Sequence, residues 1–123
     1  MSVDAYVFGS DPEPVVRAIS ALVGADYSCE CMEDFLFYQF ARCKLVVNPS
    51  ESGYFCYSLV DCDLWQSDVE FARFVAGTTG RSVRCDPGAA YPEVPPNSDT
   101  FLQIENGIES LFVWDVDAGS LGR

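Results

Sequence analysis

The residues able to do chemistry in this chain are carboxylates and thiols, since 19 acidic residues and 6 cysteines stand in a sequence with no histidine. Asp61-x-Asp63 and Asp115-x-Asp117 each place two acids on one face of a strand, the arrangement a sugar-hydrolysing pair would need. Both pairs fall at the ends of predicted elements, however, where aspartate is favoured as a cap or turn residue with no catalysis implied. The missing histidine also removes the usual general base and the Ser-His and Cys-His nucleophile pairs. The cysteines, Cys29, Cys31, Cys43, Cys56, Cys62 and Cys85, offer one close pair, Cys29-x-Cys31, without the second knuckle or the histidines of a zinc site. They read as cytosolic free thiols packed like small apolar side chains, with no metal. A calcium loop starting at Asp61 fails, because Trp65 and Gln66 stand where a ligand and a glycine are required. Gly77-Thr78-Thr79-Gly80 lacks the lysine and the spacing of a phosphate loop. No cofactor is implied.

What remains is a surface. Seven basic residues against 19 acidic ones give a net charge of −12, and a single lysine, Lys44, with scattered arginines cannot neutralise a phosphate backbone. Direct binding to nucleic acid or to an anionic membrane is therefore not expected. Such a field keeps a protein soluble, and it also steers basic partners to it. No apolar run is long enough to span a bilayer, and Met1-Ser2-Val3-Asp4 lacks the features of a signal peptide, so the chain is expected to begin here and stay in the cytoplasm.

The elements that position these groups follow from periodicity. Val3 to Phe8 reads as a strand ending at Gly9. Ser10-Asp11-Pro12-Glu13 then opens a helix whose stripe is Val15, Val16, Ile19, Leu22 and Val23, stopped by Gly24. From Tyr27 to Val60 aromatic and β-branched residues predict three or four strands in an antiparallel meander, broken at Glu33-Asp34 and at Asn48 to Gly53. A second helix starts at Asp63 or Ser67, carries Leu64, Phe71, Phe74 and Val75 on one face, and ends at Gly77 or Gly80. Arg81 to Cys85 is a short strand with Val83 inward. Asp86 to Ser98 is a proline-rich loop carrying Tyr91. Asn106-Gly107 closes a hairpin with Leu102, Ile104, Leu111 and Val113 on one side and Phe101, Phe112 and Trp114 on the other. With both sides apolar, that hairpin is expected inside the sheet or under a loop rather than at a bare edge. The whole predicts one α+β domain over 1–123, a mostly antiparallel sheet of six or seven strands with two helices on one face, and a frayed tail at 118–123.

Two acidic runs stand out, Glu30, Glu33 and Asp34 before the middle strands and Asp61, Asp63, Asp68 and Glu70 around the second helix start. Tyr54, Trp65 and Tyr91 are the aromatic anchors that would add affinity to charge. The capped helix from Asp63 to Val75, then Arg81-Ser82-Val83-Arg84-Cys85-Asp86-Pro87-Gly88 and a closing hairpin, resemble bacterial immunity proteins paired with secreted antibacterial toxins. The resemblance covers the pattern from Val3 to Asp117 and carries no family site onto any residue. It implies a cytosolic inhibitor that covers the active site of one cognate toxin, often a basic nuclease. Two other functions compete with it: a nucleic-acid mimic, which needs carboxylates at regular spacing over a long face, and a small carboxylate-dependent enzyme.

Overall fold

A computed structural model describes residues 2–24, 26–95 and 98–114. Asp115, Asp117 and the tail at 118–123 lie outside the described residues. The strands are β1 (Ser2–Phe8), β2 (Ser28–Cys31), β3 (Leu36–Gln39), β4 (Lys44–Pro49), β5 (Tyr54–Val60), β6 (Val83–Cys85), β7 (Thr100–Glu105) and β8 (Ile108–Val113), with helices α1 (Glu13–Val23) and α2 (Asp68–Thr79). They form one eight-stranded sheet in the order β2-β3-β4-β5-β1-β6-β7-β8, antiparallel at every pairing. The predicted α+β class holds, with eight strands where six or seven were expected.

Period-2 alternation sorts the sheet into two faces. Val3, Ala5 and Val7 of β1 stand beside Leu59, Tyr57 and Phe55 of β5, and Val7 also stands beside Val83 of β6. These residues pack with Val15, Val16 and Ile19 of α1 and Val69, Phe71, Ala72 and Val75 of α2 into a single core. A face buried on only one side explains why the intervening positions stay mixed in polarity. The first strand in sequence is thus an inner strand, held between β5 and β6.

Local chemistry sets the boundaries. Of the two possible starts for α2, Ser67 is the cap: its Oγ accepts from the Glu70 N–H at 3.2 Å. The Glu70 carboxylate accepts from the Gln66 N–H at 3.1 Å. Gly80, at φ +70°, ends the helix by donating its N–H to Ala76. Leu64 therefore lies before the helix and is exposed rather than on its stripe. In α1 the N-cap is Pro12, not Ser10, and the Asp11 carboxylate takes the Glu13 N–H at 3.1 Å. Leu22, expected on the buried stripe, is exposed where α1 runs past the core.

The closing hairpin turns through Asn106 and Gly107, both at positive φ, with Glu105 opposite Ile108. Its side chains divide as predicted, but its place differs: among the described residues β8 is the outer edge of the sheet. Alternation reports a strand's two faces and is silent on whether a further strand pairs beyond it. The 86–98 connection holds a short 3-10 turn at Gly88–Ala90. Cys29 and Cys31 do share a face, but on the other edge strand, β2, and both are exposed. Cys43, Cys62 and Cys85 are the buried thiols.

Removing the α2 cap tests this boundary. Ser67→Ala is expected to lower unfolding free energy by about 1 kcal/mol, while Ser67→Asn keeps most of it, as read by urea denaturation.

Candidate functional site: an acidic end beside an aromatic face

Strand direction gathers the carboxylates. β1 starts, β5 ends and β4 starts at the same end of the sheet, since Ser2 and Lys44 both stand opposite Val60. α2 begins at that end and β6 finishes there, with Cys85 opposite Leu102 near the start of β7. Asp4, Asp26, Asp61, Asp63, Asp68, Glu70, Asp86 and Asp99 consequently lie at that end, while Asp11, Glu13, Glu33, Asp34, Glu51, Glu105 and Glu109 lie at the other. Among the described residues Arg42 and Lys44 are the bases there, and Lys44 stands 3.6 Å from Asp61.

Two clefts open on this end. One, of about 520 Å³, is lined by Asp61, Asp63 and Arg42 together with the exposed Leu22 and Leu64 and the buried Cys43 and Cys62. Burial and the adjacent Cys62 thiol push the Cys43 thiol up to about 12. The other, of about 210 Å³, is lined by Asp4, Asp68, Asp86, Tyr6, Phe101, Ser98 and Thr100. The Asp68 carboxylate accepts the Asp4 N–H at 2.9 Å, joining helix start to sheet. Partial burial raises its affinity for a proton, the Asp4 N–H opposes that, and the Asp4 and Asp86 carboxylates add to it. The same surroundings, burial first and then Asp68 and Asp86, push the Cys85 thiol up to about 12. Asp68 and Glu70 also sit in the first turn of α2, where the helix dipole stabilises each by roughly 0.3 to 1 kcal/mol.

Tyr6 and Phe101 carry this end onto the open face of the sheet. There Tyr6 meets Trp114 at 5.1 Å and Phe101 at 6.0 Å between ring centroids, and Tyr54 meets Trp114 at 5.4 Å and Phe8 at 5.3 Å. The Arg84 guanidinium lies 4.2 Å from the Tyr54 ring centre and 4.5 Å from those of Phe112 and Trp114. Cation–π stacking holds its charge among the rings, with the Gln103 carbonyl accepting from Nε at 3.0 Å.

The predicted site residues divide accordingly. Asp61, Asp63, Asp68 and Glu70 come together at the acidic end. Glu33 and Asp34 lie at the opposite end, in the β2–β3 turn, with Asp34 beside Pro49 and Ser10. Glu30 is on the open face of β2, opposite Phe37. Tyr54 belongs to the aromatic face but is buried, its hydroxyl 2.8 Å from Ser82. Trp65 is packed on the core against Phe74 at 4.5 Å and Phe71 at 5.2 Å, so it does not project as an anchor. Tyr91 is tied down, donating to Glu109 at 2.7 Å. Sequence reading missed Asp4, Asp86 and Asp99, which strand pairing alone brings in, and it missed Arg84 and Tyr6. The alternation of β1, with Tyr6 turned away from Val3, Ala5 and Val7, was the available signal for Tyr6.

No metal-holding group of histidine, cysteine or carboxylate side chains occurs among the described residues. No helix among them is long and apolar enough to cross a membrane. Comparison with family models, with curated proteins and with solved structures gave no match.

Glu109 also accepts two bonds from Arg73, at 2.7 and 2.9 Å. Arg73, and then Tyr91, hold its carboxyl below the usual carboxylate range against partial burial. A depressed carboxyl stabilises the fold above its unfolded pKa and loses that contribution as pH falls through the folded one. Arg73→Met should therefore cost up to about 1 kcal/mol at neutral pH, the pair being partly exposed. In denaturation curves the difference from the parent should shrink below about pH 4 as Glu109 protonates.

Proposed function

We propose that this protein is an acidic binding protein of the cytoplasm that neutralises a basic toxin enzyme by docking over its active site, with no bond-making of its own. The observation that carries this reading is the pair of carboxylate-lined clefts at one end of the sheet, one holding Asp61 and Asp63 beside Arg42 and the other Asp4, Asp68 and Asp86 with no base in its lining. Asp4, Asp68 and Asp86, which line one cleft, repel one another, and a basic surface relieves the repulsion. Asp68, whose charged form burial already disfavours, gains most from a cation brought near it.

Charge steers the encounter and apolar contact slows release. The rim of the larger cleft supplies that contact through Leu22 and Leu64, and the neighbouring open face supplies it through Tyr6, Phe101 and Phe112. The absence of histidine from the chain and the exposure of both Asp61 and Asp63 favour binding over a carboxylate-dependent reaction. A phosphate mimic is not favoured either, because the acids are scattered over both ends of the sheet and its connections instead of running at regular spacing along a long face.

Co-expression with the product of the neighbouring gene tests the proposal. The two chains should co-purify, growth should be rescued from that product's toxicity, and added salt should weaken the complex. The triple substitution Asp61→Asn, Asp63→Asn, Asp68→Asn should slow association roughly tenfold or more, as the steering field is lost. A partner-free chain that leaves the product fully toxic would refute the reading.

A further inference from the structure

The edge strand β8 is the part of the molecule whose chemistry is left unspent. Edge strands are normally protected by lysine, proline, a bulge or a cover, because their free N–H and C=O groups template further pairing. β8 reads Ile-Glu-Ser-Leu-Phe-Val and pairs with β7 in unbroken register along its length. Ile108 is 69% exposed, Val113 73% and Leu111 37%. The opposite edge, β2, is shorter, at four residues, and reads Ser-Cys-Glu-Cys.

Which backbone groups are free follows from the hairpin. A two-residue turn makes Glu105 and Ile108 a bonded pair, so bonded and non-bonded pairs alternate from there. Ile108, Ser110 and Phe112 turn their N–H and C=O toward β7, and the N–H of Trp114 keeps that phase by donating to the Asp99 carbonyl at 2.8 Å. Glu109, Leu111 and Val113 consequently present theirs outward.

Charge decides what fits. Within Ile108–Val113 the one ionised side chain, Glu109, is already held by Arg73 and Tyr91, so a basic strand would find no free carboxylate among these six residues. In a chain of net charge −12, Ile108–Val113 is a locally neutral, apolar stretch where, among the described residues, two copies can meet without carboxylate facing carboxylate. We infer that the protein forms a two-fold dimer in which β8 pairs antiparallel with β8 of a second copy, joining the two sheets into one.

The pleat restricts the register. With the helices of both copies on the same side, directly opposed residues must share a face, so their numbers sum to an even value. Placing Leu111 on the two-fold axis, opposite the partner's Leu111, sets Glu109 opposite the partner's Val113. Every outward N–H and C=O of Glu109, Leu111 and Val113 then finds a partner. The open aromatic faces of the two copies become continuous through Phe112.

Sedimentation equilibrium of the full chain tests this. The mass should move from monomer to dimer with concentration, and added salt should strengthen the dimer by screening repulsion between two acidic copies. That is opposite to the salt response of binding to a basic partner. Leu111→Lys sets like charges together on the axis, and Val113→Pro removes an outward donor that makes no bond within the chain. Each should weaken the dimer roughly tenfold or more while the far-ultraviolet circular dichroism is kept. A monomer mass at every concentration, a dimer that both variants leave unchanged, or open-ended aggregates in place of a dimer would overturn the inference.

Discussion

The pleat of β1 is the constraint on which the rest of the molecule depends. Val3, Ala5 and Val7 must all point one way, and as the inner strand between β5 and β6 they fix where both helices lie. Burying that face by roughly 25 cal/mol for each Å² of apolar surface gives the fold its main driving force. Only one face receives helices, so Tyr6 and Phe8 are left to build a second, smaller aromatic layer with Tyr54, Phe101, Phe112 and Trp114. A one-sided sheet is what allows a rigid core and an available surface to coexist in a small chain.

The same topology concentrates charge. α1 and α2 run in opposite directions across the sheet, so the N-terminal end of α2 falls beside the starts of β1 and β4 and the end of β5. Asp4, Asp61, Asp63, Asp68 and Asp86 line two clefts there because the strands share that end, and the helix start tolerates Asp68 and Glu70 through its dipole. At the other end Glu13 stands 3.8 Å from Arg17 and Glu109 is gripped by Arg73, while Asp11, Glu33, Asp34, Glu51 and Glu105 lie there too.

Local features were legible in the sequence and long-range ones were not. Asn106-Gly107 specified its turn because both residues accept positive φ, and the side chains of that hairpin sorted as alternation requires. The meander from β2 to β5 followed from short connections. Ser67 could be told from Asp63 as the cap only once the helix had a sheet to rest on, since both had suitable residues downstream. The strand order escaped, because nothing local says that β1 is flanked by β5 and β6 or that β8 has no outer neighbour among the described residues. Half of the candidate site was visible for the same reason: Asp61, Asp63, Asp68 and Glu70 are neighbours in the chain, whereas Asp4, Asp86 and Asp99 arrive by pairing. Trp65 misled because a large aromatic beside acids reads equally well as an anchor or as a lid on the core, and contact with Phe71 and Phe74 makes it the latter.

Carboxyl footprinting bears most directly on the binding role, with glycine ethyl ester coupling read by mass spectrometry on the free chain and on its complex with the neighbouring gene's product. Protection confined to Asp61, Asp63, Asp68 and Asp86, with Glu13, Glu33 and Asp34 still reactive, is the predicted result. Protection of Glu33 and Asp34 in place of the four aspartates, or equal labelling with and without that product, would contradict it.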